Sequence, residues 1–305
     1  MPERPATSPV IFDRALLRAR HRRAAAMGAE TFLLDRVADD LADRLATVLR
    51  RFDLALDLGT PGEAVHDALM RTGTVGTIVV AADAAPSSGV APALPFVVAD
   101  EEALPFRDAA FDLVVSALSL QFVNDLPGTL VQIRRALKPD GLFLAALIGG
   151  ATLSELRQSF AVAESDVEGG ASPRVAPFAD VRDLGALLQR AGFALPVADA
   201  DRITVRHDSV FALMHDLRRM GATNTLIDRR RTPLKRATLM RMAEIYAERF
   251  ADDDGRVRAT FEIVWLSGWA PHPSQQQPLR PGSAKARLAD ALGAREISAG
   301  EKAGG

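Results

Sequence analysis

Leu54-Ala55-Leu56-Asp57-Leu58-Gly59 and, a little downstream, Thr77-Ile78-Val79-Val80-Ala81-Ala82-Asp83 decide the fold. Each is a short apolar run that ends at an acid, the form of a buried parallel strand running into a loop. Between them, Ala64 to Arg71 has a helix-compatible pattern. Strand, loop, helix and second strand make a βαβ unit.

Further strands follow outward from this unit: Phe96-Val97-Val98-Ala99-Asp100, then Phe111-Asp112-Leu113-Val114-Val115-Ser116, then Gly141 to Leu147. A helix from Leu126 to Leu137 separates the last two and is closed by Lys138-Pro139-Asp140-Gly141, a stop signal of proline and glycine. Alternating strands and helices predict an α/β fold with a doubly wound parallel sheet. Upstream, residues 11–51 repeat apolar side chains at helical spacing (Phe12, Leu16 and Ala19, then Phe32, Leu33, Val37, Leu41, Leu45 and Val48) and read as an N-terminal helical segment over 1–51. Downstream, Val181 to Ala191 is an amphipathic helix stopped by Gly192, and Ile203-Thr204-Val205 and Phe261 to Leu266 read as late strands. Ser209 to Gly221 and Leu234 to Phe250 read as a helical pair, inserted at about 209–250 into what is otherwise a hairpin. The main domain is thus expected over 52–270. Residues 271–305 are rich in Pro, Gln, Arg, Gly and Ala, with little apolar surface to offset the entropy of ordering, and are expected to be disordered.

Composition excludes several kinds of function. A chain of 305 residues with 48% hydrophobic and 25% charged residues is an ordinary globular one, long enough to bury its own core. The net charge of −2 carries no global signature of nucleic-acid binding, and none is expected. The absence of cysteine removes disulfides, thiolate nucleophiles and iron–sulfur ligation. No uninterrupted apolar run reaches the length of a membrane span, and Met1 to Ala6 has no apolar signal-like core, so the expected location is cytoplasmic. The five histidines lie far apart in the chain, and no metal site is expected. Two arginine-rich runs, Arg18 to Arg23 and Arg229-Arg230-Arg231, read first as solvated surface and second as docking sites for an acidic partner.

Chemistry on a parallel sheet collects at the carboxyl ends of the strands, where free backbone N–H groups and a crevice meet. Acids mark those ends here: Asp57 at the first strand, Asp83 at the second, and Asp100 with Glu101 at the third. An acceptor at the second strand end suits ribose hydroxyls, and one at the third suits an adenine amino group. A nucleoside cofactor is the ligand such a register asks for.

These motifs in order, Leu56-Asp57-Leu58-Gly59, Val80-Ala81-Ala82-Asp83, Ala99 to Phe106, Phe111-Asp112-Leu113-Val114 and Leu137 to Gly141, resemble a class I S-adenosylmethionine-dependent methyltransferase. The resemblance implies a Rossmann-like methyltransferase sheet and S-adenosyl-L-methionine as cofactor. It implies a cofactor set of Asp57, Gly59, Gly62, Asp83, Asp100, Glu101, Ser116 and Leu118. Two subgroups share Ser119 to Pro127: the malonyl-acyl-carrier-protein O-methyltransferases of biotin synthesis, and the methyltransferase-fold arginine hydroxylases that assist respiratory complex I assembly. Ile11 to Leu16, Gly149 to Arg157, Ser172 to Phe178 and Asp183 to Phe193 are more similar to the second. That subgroup implies a protein substrate, a peripheral subunit of complex I, and a place beside the inner membrane through that partner.

Gln121, Phe122, Glu155 and Arg157 are the residues expected on the substrate side, with the acids Glu155, Glu164, Asp166 and Glu168 suited to orienting an arginine guanidinium. No residue is singled out as catalytic, because a sulfonium brings its own leaving group and needs alignment more than a base. The chain departs from the family at its glycine-rich loop: in Asp57-Leu58-Gly59-Thr60-Pro61-Gly62-Glu63, Pro61 and Glu63 stand where glycines are usual. Proline removes a donor and Glu63 adds an anion near the place of the cofactor carboxylate, so weakened cofactor binding is expected. Phe122 stands in place of a usual tryptophan. If the altered loop no longer holds the cofactor, the remaining reading is a non-catalytic assembly chaperone.

Overall fold

A computed structural model describes residues 10–84, 94–276 and Gly293. The elements run α1 (Arg14–Ala26), α2 (Phe32–Ala46), β1 (Phe52–Leu58), α3 (Ala64–Thr72), β2 (Val75–Ala82), β3 (Phe96–Val98), β4 (Phe111–Ala117), α4 (Leu126–Ala136), β5 (Leu137–Ile148), α5 (Ser154–Glu168), α6 (Val181–Arg190), β6 (Ala194–His207), α7 (Val210–Arg219), α8 (Arg236–Phe250) and β7 (Val257–Trp269). The expected Rossmann-like sheet is present, with two helices ahead of β1 and a helical pair between the last two strands.

The sheet has 7 strands in the order β3-β2-β1-β4-β5-β7-β6. β1 pairs in parallel with both β2 and β4, so the chain winds outward in two directions from β1. β7 runs antiparallel to β5 and to β6, so the late strands form the interrupted hairpin expected beside the parallel part of the sheet. The cause is local: β6 and β7 flank an insertion, and a long strand pair closing on itself is a hairpin, which is antiparallel by construction.

Side chains alternate between the two faces. Phe52 and Ala55 of β1 join one core with α2, α3, α5, α7 and α8, while Leu56 and Leu58 join another with α4 and α6. α2 lays Leu34, Val37, Ala38, Leu41 and Leu45 on the sheet as one buried stripe. Its Arg44 then clamps the far edge, with paired bonds to Asp199 at 2.8 and 2.7 Å and its guanidinium 4.3 Å from the Trp265 ring.

Two boundaries differ from expectation for physical reasons. β5 begins at Leu137, ahead of the expected Gly141, because the chain bulges there: the register against β4 shifts between Phe111 and Leu113, and Asp140 takes φ +63°. Gly141 is needed for close approach, since a Cβ there would lie 2.8 Å from the Lys138 carbonyl. β6 extends back to Ala194, through Asp199 to Arg202, which carry no apolar alternation because this is an edge strand open to water. Residues 272–276 belong to a second compact unit and make a turn in which His272 Nδ1 meets Ser274 Oγ at 2.7 Å. Nearly all of the tail expected to be disordered, and Pro2 to Ala6, lie outside the described residues.

Candidate functional site

Strand order reverses between β1 and β4, and the crevice expected there is built from the segments that follow β1, β2, β3 and β4, which bring Gly59, Asp83, Glu101 and Ser119 together. After β1, Gly59 turns with φ +73°, and a Cβ on it would lie 2.3 Å from Ser119 Oγ and 2.6 Å from a Glu101 carboxylate oxygen. Only glycine permits that turn and that approach together. The Thr60 hydroxyl accepts from Ala117 N at 3.0 Å, pinning the loop to the end of β4. After β3, Asp100 accepts from Glu102 N at 2.9 Å, while Gln132 on α4 donates to the Glu102 carbonyl at 2.8 Å and accepts from Leu104 N at 2.9 Å. After β4, Ser119 Oγ donates to Glu101 at 3.1 Å.

α1 lies over these segments. Gly59, Asp83, Glu101, Ser119, Phe122 and Val123 share one cavity with Arg14, Leu17 and His21 of that helix. Arg14 pairs with Asp100 at 2.9 Å, with Glu102 at 3.3 Å and with Glu101. Burial opposes the charge of this guanidinium, but Glu101 and Asp100 more than restore it and its pKa is raised. His21 packs against Gly221, where a Cβ would lie 2.5 Å from its Cδ2. Burial lowers the imidazole pKa against the opposing pull of Asp83 and Glu101, so the ring is neutral at pH 7. Phe122 meets Phe12 and Phe178 edge to face at 5.6 and 6.2 Å between centroids, tying the strap before α1 and the segment before α6 to the same corner.

Beneath Gly59, Asp57 is fully buried on β1, and among the described residues the Thr60 hydroxyl is the donor that bears on its carboxylate, too poorly placed to make a well-formed hydrogen bond. Burial pushes its pKa up to about 7, offset only in part by the nearby Thr60 hydroxyl. The Ser116 hydroxyl on β4 is also buried, and among the described residues it is unpartnered. Orphaned polar groups below a glycine cradle, with a ring of acids above, fit a nucleoside cofactor that carries hydroxyls, an adenine edge and a cationic amino acid end.

The other expected residues fall into two groups. Gly62 turns with φ +77° into open space, and with exposed Pro61 and Glu63 it forms the outer part of the loop rather than the cavity wall. Leu118 takes φ +53° to swing the chain off β4, and Gln121 folds its amide back onto the Leu118 carbonyl at 2.7 Å. Glu155 and Arg157, expected on the substrate side, do not line this cavity and are engaged in bonds within the scaffold. Glu155 is buried and accepts from Thr260, at 3.3 Å from its backbone N and also from its hydroxyl, joining α5 to β7. Arg157 donates to the Gly150, Thr152 and Ala176 carbonyls at 3.3–3.4 Å. The remaining acids of α5 are already matched: Glu164 with Arg174, Asp166 with Arg241, and Glu168 with Arg230 and Lys235. The Thr238 hydroxyl and these two cations hold Glu168 down at a pKa of about 2. Residues that sequence reasoning left out are Arg14 and His21. Their only signal was helical spacing, which puts Arg14, Leu17 and His21 on one face of α1.

Comparison with known proteins follows the same lines. The methyltransferase domain family matches residues 56–145. The chain is 43% identical over 281 residues to the human mitochondrial arginine-hydroxylase NDUFAF5, covering 90% of this chain and 81% of the relative. The chain belongs to the methyltransferase-fold family of these arginine hydroxylases. The zebrafish (Danio rerio) member is 40% identical over 92% of the chain and 89% of the relative. A malonyl-[acyl-carrier protein] O-methyltransferase from Laribacter hongkongensis is more distant, 35% identical over 88% of the chain and 94% of its own length. Among solved structures, a candidate methyltransferase from Bacillus halodurans superposes with a TM-score of 0.51 at 17% identity, over 76% of this chain and 99% of that one, which shows the fold. The family is thus one of methyltransferase-fold enzymes, and among the described residues no helix is long and apolar enough to cross a membrane.

Proposed function

We propose that this enzyme binds S-adenosyl-L-methionine in the crevice and modifies an arginine of a protein partner, a peripheral subunit of respiratory complex I during assembly. The observation that carries the reading is the meeting of Gly59, Asp83 and Glu101 in one cavity at the strand reversal, in a chain 43% identical to an arginine hydroxylase over 90% of its length. Asp83 accepts from the ribose hydroxyls, Asp100 with Glu101 takes the adenine edge, and Gly59 lets the cofactor backbone approach β1. Asp57 supplies a buried carboxylate below that loop. When bound, the cofactor would supply an electrophilic methyl carbon for transfer to a guanidinium nitrogen, which would release a proton; hydroxylation would instead need dioxygen as oxidant together with a reductant. The chain's own work is to orient the two reactants and exclude water.

The cavity as it stands, about 30 Å³, has room for little more than a water molecule. Arg14, Leu17 and His21 of α1 wall it in, so in this reading α1 would shift to admit the cofactor and Arg14 would leave its three carboxylates. Calorimetric titration tests the cofactor. The wild-type chain is expected to bind adenosylmethionine or its demethylated product, and Asp83→Ala to weaken binding by roughly tenfold to a hundredfold, the loss of a hydrogen-bond acceptor to a hydroxyl. No binding at millimolar ligand by a folded protein refutes the cofactor and leaves the chaperone reading. Mass spectrometry of the subunit from wild-type and deletion strains tests the reaction. One oxygen missing from an arginine supports hydroxylation, a missing methylene supports methylation, and biotin auxotrophy with an unchanged subunit assigns the chain to acyl-carrier-protein methylation.

A further inference from the structure

The two arginine-rich runs, distant in sequence, meet beside Asp13 at the start of α1, the helix whose Arg14, Leu17 and His21 line the cavity. Phe12 bridges to Leu226, Asp13 N donates to the Thr225 carbonyl at 2.8 Å, and Ile227 N donates to the Ile11 carbonyl at 2.9 Å. This stitch brings α1 against the loop that follows α7. Arg20 donates to the Asn224 carbonyl, and Arg229 donates to the Leu226 carbonyl at 2.8 Å and to Asp13 at 3.3 Å. Burial, together with the like charges of Arg229 and Arg23, lowers the Arg20 pKa. Arg231 stands close enough to act on Asp13 as Arg229 does. Arg229, Arg231 and Arg20 thus share one carboxylate, Asp13, with Arg23 crowding Arg20 from the same helix, and among the described residues neither Arg23 nor Arg231 makes a close ion pair with an acid. Val10, Ile11 and Ile227 expose their side chains along the same seam.

We propose that this rim docks an acidic segment of a protein partner, one with apolar side chains among its carboxylates, next to the residue that the partner presents to the crevice. The proposal rests on the reading that the substrate is a protein. More guanidiniums than carboxylates crowd this rim, an excess that is unfavourable in the free chain and is relieved when further carboxylates arrive, which is the condition for electrostatic complementarity at an interface. Arg20 and Arg229 are tied to backbone carbonyls and so fix the positive ground of the rim, while the exposed Arg23 and Arg231 are the guanidiniums open to paired bonds with an incoming carboxylate. Val10, Ile11 and Ile227 supply the apolar contact that a polypeptide can match. Two features weigh against a continuous polyanion. Asp13 and the exposed Asp228 sit within the rim and repel a phosphate backbone or an anionic bilayer, and Phe12, the aromatic residue of the seam, is buried and cannot stack a base.

The test uses the full chain and a fluorescein-labelled peptide of alternating glutamate and leucine-containing triplets, followed by anisotropy at low and at physiological salt. The comparison variant is Arg23→Glu with Arg231→Glu, two exposed positions outside the cavity. Binding by the wild type, weakened at least tenfold in the double variant and reduced by salt, is the expected result. Equal affinity of wild type and variant overturns the proposal. So does tighter binding to phosphatidylcholine vesicles carrying phosphatidylglycerol, or to single-stranded RNA, than to the peptide. Adenosylmethionine titration of both proteins separates this failure from failure of the functional reading. Intact cofactor binding with no peptide binding sinks the rim alone, whereas peptide binding without cofactor binding leaves the rim standing and removes the enzyme reading.

Discussion

Asp57→Asn is the most informative single change in the core. The carboxyl is fully buried, only the Thr60 hydroxyl offsets that burial and without a well-formed hydrogen bond, and its pKa is pushed up to about 7 against an ordinary 3.8. Because folding raises the pKa of this acid, the folded chain holds the proton more tightly than the unfolded one. Stability from this group is therefore full below about pH 4, falls as pH rises toward 7, and is level above it. Three pH units at about 1.4 kcal/mol each put the cost of the ionised form at roughly 4 kcal/mol by pH 8, before any relaxation or water entry reduces it. Asparagine keeps the shape without the charge. Urea denaturation followed by the fluorescence of Trp265 and Trp269, at pH 5, 6, 7 and 8, is expected to show the variant gaining on the wild type by about 1 kcal/mol per pH unit and then levelling. A pH-independent difference, or a variant less stable than wild type at pH 8, refutes the reasoning. The same variant is expected to lose affinity for adenosylmethionine despite its greater stability, the signature of a group kept for function at a cost to the fold.

Other changes separate cradle from scaffold. Gly59→Ala places a methyl group against Ser119 and Glu101 at positive φ, and is expected to cost about 2 kcal/mol in denaturation and to abolish measurable cofactor binding. Glu155→Ala leaves Thr260 without its acceptor and is expected to lower stability by about 2 kcal/mol while leaving cofactor affinity within twofold; a selective loss of cofactor binding would return Glu155 to the site. Pro61→Gly with Glu63→Gly, both on the exposed outer loop, is expected to raise cofactor affinity severalfold in titration by restoring donors and removing an anion.

What the chain determined by itself was the order of its strands in sequence and the acids at their ends. Apolar runs at Leu54 to Leu58 and Val79 to Ala82 are buried on both faces, and burial of that kind leaves a continuous apolar signature whatever the surroundings. Gly59 was legible because its turn admits no other residue, and Asp83 and Glu101 because strand ends of a parallel sheet converge by topology. The tertiary structure alone decided which polar groups are free. The acids of α5 looked available in sequence, yet Arg174, Arg241, Arg230 and Lys235 already neutralise Glu164, Asp166 and Glu168. Conversely His21 read as a member of a solvated run, and Arg14 had no site role, until α1 folded across the crevice and brought Arg14 to Asp100 and His21 into one cavity with Asp83. Ion pairs and lids join residues far apart in the chain, and no local pattern encodes them. Their energy depends on distance and burial, quantities that exist only once the helices have packed.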